Sequence, residues 1–112
     1  MKFEDLKLHP TLLKAVEDQN YTEPTAIQAQ AIPLILENND VLGTAQTGTG
    51  KTAAFALPIL HHLINEKSNN SKTKIRALIV TPTRELAIQI AENFTDYSKY
   101  NNIKNTVIFG GV

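Results

Sequence analysis

Ala45-Gln46-Thr47-Gly48-Thr49-Gly50-Lys51-Thr52 is the stretch whose reading decides the fold. It follows a short apolar run, Asp40-Val41-Leu42-Gly43, and precedes an apolar segment with helical spacing, Ala53 to Leu60. A strand, a glycine-bearing turn, Lys-Thr and a helix form the layout of a phosphate-binding P-loop. Gly48 and Gly50 open backbone conformations that a Cβ would close, so successive N–H groups can turn toward an anion. The helix that begins at the loop adds its positive dipole end. Lys51 brings a point charge to the outer phosphates, and the Thr52 hydroxyl suits Mg²⁺. Ala45 stands where the pattern usually has glycine, and the Gly-Lys-Thr core is intact.

A dinucleotide site is the rival for the same residues, since Gly48-Thr49-Gly50-Lys51-Thr52-Ala53 also fits G-x-G-x-x-A. That site needs an acidic residue at the end of the following strand to hold a ribose. The following apolar run ends in Thr81-Pro82-Thr83, so the phosphate loop is the better reading.

The flanking sequence fits one small α/β domain or part of a larger one. The chain has 112 residues, a hydrophobic fraction of 42% and a charged fraction of 20%, as a globular protein requires. A formal net charge of zero neither supports nor opposes a nucleic-acid partner, because a local patch can serve. With no cysteine, disulfides and thiolate metal sites are excluded. The first residues lack the apolar core of a signal peptide, and the apolar runs are too short to span a bilayer. A soluble, cytoplasmic protein without a membrane partner is expected.

Working outward, Pro10 opens a helix with Leu12, Leu13 and Val16 on one face, closed by Gln19-Asn20. Phe3 reads as a hydrophobic tether for the terminus. Thr25-Ala26-Ile27-Gln28 reads as a capping box opening a second helix, with Ile27, Ala31, Leu34 and Ile35 as its buried face and Pro33 inside it. After the P-loop, Phe55, Ile59, Leu60 and Leu63 carry a helix to about Asn65, with Pro58 inside it. His61 and His62 are adjacent and face different ways, which does not suit a metal pair. Asn65 to Lys74 is a polar loop. Ile75 to Val80 is a continuous apolar strand broken by Thr81-Pro82-Thr83; a helix with Leu86, Ile90, Phe94 and Tyr97 follows. Asn105 to Phe109 is a third strand, ending at Gly110-Gly111. Strands alternating with helices predict a parallel α/β sheet flanked by helices, with ligands at the carboxyl ends of its strands. The P-loop, Pro82-Thr83-Arg84 and Gly110-Gly111 would all lie at that edge.

These residues carry a resemblance. Phe3, Tyr21-Thr22-Glu23-Pro24-Thr25-Ala26-Ile27-Gln28, Ala45 to Thr52, Pro82-Thr83-Arg84-Glu85-Leu86-Ala87 and Gly110-Gly111 look like the Q motif, motif I, motif Ia and GG element of the DEAD-box RNA helicases, in that family's order. The wording is nearest the bacterial RhlE-like branch. Asn20 stands where the family usually has glycine, and Ala26 where it usually has proline.

The resemblance implies a RecA-like P-loop NTPase fold, here the truncated first helicase domain, with residues 1–30 as the Q-motif region and 31–112 as the N-terminal portion of the ATP-binding domain. It implies ATP and Mg²⁺ as cofactors and the sugar-phosphate backbone of RNA as partner, bound independently of sequence at Pro82, Thr83, Arg84, Gly110 and Gly111. Gln28 would read adenine, since an amide can donate and accept in one plane toward the N6 and N7 edge. Phe3 would stack on the base. The parent reaction would be ATP hydrolysis coupled to RNA unwinding or remodelling. The family's D-E-A-D motif and the arginines of a second RecA-like domain are not among these 112 residues, so the chain alone is expected not to hydrolyse ATP. Two other readings stand beside this one: a non-enzymatic nucleotide- or RNA-binding fragment, and another kind of P-loop ATPase.

Overall fold

The structure, a computed structural model, describes residues 1–43, 50–66 and 76–108. Its elements are a 3₁₀ turn at Phe3–Leu6 and four α-helices: α1 at Pro10–Asp18, α2 at Ala26–Leu36, α3 at Lys51–Asn65 and α4 at Arg84–Tyr97. All four expected helices are present, and each boundary has a local cause. Pro10 occupies the first helical position of α1, and the His9 ring nitrogen Nδ1 accepts from the Thr11 N–H at 3.2 Å. Asn20, just past α1, has φ of 63°. It donates to the Glu17 carbonyl at 2.9 Å, while the Tyr21 N–H reaches the Val16 carbonyl at 3.0 Å. This paired closure needs a left-handed residue, and asparagine is among the few non-glycine residues that take that conformation readily. The closure therefore survives the replacement of the family's glycine. Asn38 ends α2 in the same way, with φ of 67° and bonds from Asn38 to Ile35 and Asn39 to Leu34.

The core lies between α2 and α3, with α1 and α4 packed on α3 and on each other and the 3₁₀ turn against α2. Leu12, Ile32, Leu57 and Leu60 have no accessible surface. Burying one such side chain contributes about 1.5–3 kcal/mol. Pro58 is tolerated inside α3 and is itself fully buried.

Two expectations about helix faces need correction. In α2 the buried stripe is Gln28, Ala31 and Ile32, whereas Leu34 is 45% exposed. The helix is rotated so that Gln28 points inward, where each end of its amide makes one hydrogen bond to the protein. In α3 the stripe is Ala53, Ala56, Leu57 and Leu60; small alanines let α2 approach closely, and Phe55 and Ile59 pack at its margin. In α4, Ile90, Phe94 and Tyr97 are buried as expected, and Leu86 is exposed.

The expected sheet is not seen: among the described residues no strand is formed. A strand exists only when a neighbour accepts and donates along its ladder, and segments 40–43, 76–80 and 105–108 have no such ladder among the described residues. Their side chains reflect this, with Leu42, Leu78, Val80 and Ile108 each more than four-fifths exposed. Residues 67–75, expected as a polar loop and the start of the second strand, and Phe109, expected to end the third, lie outside the described residues.

The adjacent histidines pack as structural groups. The His9 N–H donates to His61 Nδ1 at 2.9 Å, and His62 Nε2 lies 3.0 Å from the Ile35 carbonyl. Burial first, then the nearby His62 and His9, hold the His61 imidazole below its usual pKa. Arg76 reaches back to the Leu63 and Glu66 carbonyls, satisfying the carboxyl end of α3.

Candidate nucleotide and nucleic-acid site

The site is assembled where the amino termini of α2 and α3 meet. Thr25, extended at φ −70° and ψ 170°, caps α2 by accepting from the Gln28 N–H at 3.4 Å. Gln28 Oε1 accepts in return from the Thr25 N–H at 2.9 Å, closing the capping box read from the sequence. The same side chain then does something the pattern did not disclose. Its Nε2 donates to the Gly50 carbonyl at 3.1 Å, joining α2 to the last residue before α3. Gln28 is 3% exposed.

Gly50 is required there twice over. Its φ is +82°, a conformation that side chains rarely take. A Cβ built on it would lie 2.2 Å from Gln28 Nε2 and 3.1 Å from Thr25 Oγ1. The glycine thus permits both the turn into α3 and the close approach of the capping pair. No side chain caps α3. The N–H groups of a helix's first turn, with its positive dipole end, are chemically suited to an anion. Lys51 opens the helix and is exposed, and Thr52 beside it is half-buried. Their chemistry fits the outer phosphates of a nucleotide and a hydroxyl ligand to Mg²⁺. Among the described residues no group of three or more His, Asp or Glu side chains is placed to hold a metal. Ala45, Gln46, Thr47, Gly48 and Thr49 lie outside the described residues.

The aromatic residues are arranged differently from what base stacking on Phe3 would need. Phe3 is 4% exposed and belongs to the core. Its ring is stacked on Tyr21, with centroids 6.1 Å apart and planes inclined by 25°. Phe3 therefore offers no open ring face and acts as the tether that its position first suggested. Tyr21, which lies in the same Q-like stretch, is 37% exposed. An aromatic in a turn before a proline carries no periodic signal, so its exposed position was not legible in the sequence. Its hydroxyl is hydrogen-bonded to that of Tyr97 at 3.2 Å, and burial, then this bond, hold the Tyr97 phenol above its usual pKa.

On the other side, Thr83 caps α4, its Oγ1 accepting from the Leu86 N–H at 3.1 Å, while Thr81 Oγ1 donates to the Thr83 carbonyl at 2.9 Å. Pro82, Thr83 and Arg84 are exposed and line an open groove of about 420 Å³ together with Leu78, Val80 and Ile108. Gly110 and Gly111 lie outside the described residues. The convergence of all three loops on one sheet edge rests on residues and pairings that the structure does not describe. Among the described residues, no helix is long and apolar enough to cross a membrane.

The family model described as "DEAD/DEAH box helicase" matches residues 25–112. The chain is 49% identical over 111 residues to the ATP-dependent RNA helicase SrmB of Haemophilus influenzae, covering 99% of this chain and 25% of that protein. Among solved structures it is similar to the RNA helicase Prp28 from Chaetomium thermophilum bound to ADP, with TM-score 0.86 and 40% identity over 99% of this chain and 27% of that one. It is also similar to S. cerevisiae Dbp5 L327V bound to RNA and ADP BeF3, with TM-score 0.79 and 36% identity over 91% of this chain and 25% of that one. The chain thus spans 16–25% of the length of the curated relatives it matches.

Proposed function

The chain belongs to the DEAD/DEAH box helicase family, and from that premise we propose that it is the ATP-binding portion of an ATP-dependent RNA helicase, in which hydrolysis is coupled to unwinding or remodelling of RNA. What supports this reading is the Gln28–Gly50 bond, since Gln28 is an amide of the kind that matches adenine and Gly50 immediately precedes a helix whose N-terminus suits phosphate. Lys51 holds the β- and γ-phosphates as a point charge, and Thr52 gives Mg²⁺ a hydroxyl. Mg²⁺, when bound, neutralises charge that develops on the transferred phosphoryl group. Gln28 has one N–H and one lone pair beyond those it uses internally, which suffices to read the N6 and N7 edge of adenine. Tyr21, rather than Phe3, offers the ring surface on which the base stacks.

RNA lies along Pro82-Thr83-Arg84 and Gly110-Gly111, held by a hydroxyl, a guanidinium and backbone N–H groups that take phosphate without reading bases. The bound RNA and nucleotide of the Dbp5 structure support the pairing of these ligands in one fold. The exposed apolar segments at 40–43, 76–80 and 105–108 take their places as strands of a parallel RecA-like sheet when the remaining strands are supplied. These residues carry neither a D-E-A-D motif nor a second domain's arginines, and by themselves they bind ATP without turning it over.

Titration calorimetry with MgATP tests this. The chain binds, Lys51→Ala weakens binding by at least about tenfold, as loss of one charge-assisted contact implies, and phosphate release stays at background with or without RNA. RNA-stimulated turnover by the chain alone would sink the claim of inactivity, and unchanged affinity in Lys51→Ala would sink the phosphate site.

A further inference from the structure

Tyr97 lies in the last turn of α4, 2% exposed, far along the helix from Thr83 and Arg84. Its ring sits 6.3 Å from that of Tyr21 at 59°, and the two hydroxyls are 3.2 Å apart. Tyr21 in turn is stacked on the buried Phe3. The Tyr21 ring is thus backed by one aromatic face and anchored at its hydroxyl, while more than a third of its surface stays open. A ring that is to receive a base gains from being held, because fixing it beforehand removes an ordering cost from binding. In a buried setting, a phenol with its hydroxyl paired is also expensive to displace.

We propose that Tyr97 is a positioning residue for the purine site: its hydroxyl fixes the Tyr21 ring in the plane in which a nucleobase stacks, so α4 forms the back wall of that site. The inference rests on the ATP reading above. Its distinguishing feature is that the Tyr97 hydroxyl affects recognition of the base and not of the phosphates.

The experiment is calorimetric titration of the full chain with MgATP and, separately, with magnesium tripolyphosphate, which has the phosphates and no base. Wild type, Tyr97→Phe, Tyr21→Phe and the double variant are compared, with circular dichroism to show that each is folded. Tyr21→Phe removes the same bond from the solvent side, should Tyr97→Phe perturb the core. The expected result is MgATP affinity lowered about 2- to 10-fold in each single variant, the range of one hydrogen bond. Tripolyphosphate affinity is unchanged, and the double variant is no weaker than the weaker single one, because both remove one bond. MgATP affinity equal to wild type in Tyr97→Phe overturns the proposal. So does an equal loss for tripolyphosphate, which would mark Tyr97 as structural only, and so do additive losses in the double variant. If wild type binds neither ligand, the ATP reading falls and this inference with it; if it binds both and the variants do not differ, the ATP reading stands and this inference alone fails.

Discussion

The meeting point of α2 and α3 and the extended segment 76–80 are both strongly apolar in sequence, but they end up in opposite states. At the helix junction, Leu57, Leu60 and Ile32 have no accessible surface, and a polar side chain drawn inside, Gln28, has both ends of its amide engaged. In segment 76–80, Leu78 and Val80 are each more than four-fifths exposed. The difference lies in where each element finds its backbone partners. A helix satisfies its own N–H and C=O groups, so α2 and α3 need only each other's side chains to become stable. A strand must borrow its partners from a neighbouring chain segment, and apolar sequence alone cannot supply them.

This contrast can be broken at its strongest point first. Gly50→Ala forces a Cβ to within 2.2 Å of Gln28 Nε2 at a left-handed φ, displacing the amide that joins the two helices. Urea denaturation is expected to show a loss of about 2–4 kcal/mol, combining left-handed strain with broken buried hydrogen bonds. A loss below about 1 kcal/mol, within the range of an ordinary surface change, would mean the junction is not what holds the helical part together. Next comes Ala26→Pro, at the first helical position of α2. Thr25 already has the extended backbone that a following proline demands. Stability should rise by about 0.4–1 kcal/mol, through a less flexible unfolded chain; a drop would show that the Ala26 N–H or its surroundings matter in a way this geometry lacks.

A smaller effect is expected at His61. Its folded pKa lies below the ordinary 6.5, so between the two values the unfolded chain binds the proton first. The stability is complete above pH 6.5 and declines as pH falls through that window. Thermal midpoints measured from pH 7.5 down to about 5.5, about one unit either side of the histidine value, should fall more steeply in wild type than in His61→Asn. Equal slopes would remove His61 from the account. The smallest effect belongs to the exposed segment. Val80→Lys should change the unfolding free energy by no more than about 0.5 kcal/mol, as at other surface positions, and should improve solubility. A loss of several times that size would show Val80 to be packed, and the contrast drawn above would collapse.

Particular residues show how far this architecture can be read before a structure is seen. Thr25 and Gln28 announced the capping box, and Pro10 and Asn20 marked the limits of α1, because caps and turns act over three or four residues and leave their signal in adjacent positions. The inward turn of Gln28 was not legible. Its partner, the Gly50 carbonyl, is 22 positions away, and periodicity places a glutamine outside by default. Tyr21 and Tyr97, 76 positions apart, were hidden for the same reason. The apolar runs at 76–80 and 105–108 were visible as strand-like sequence, but pairing is a property of two segments and cannot be read from either one.

If the α2–α3 junction reads adenine as well as phosphate, as proposed above, the chain distinguishes the two purine nucleotides. The direct test is the affinity of the chain for MgATP against MgGTP, in wild type and in Gln28→Ala. Wild type should prefer ATP by at least about tenfold, the discrimination expected of one amide matched to one base edge, and Gln28→Ala should reduce that preference toward unity. Equal binding of the two nucleotides by wild type would contradict the claim.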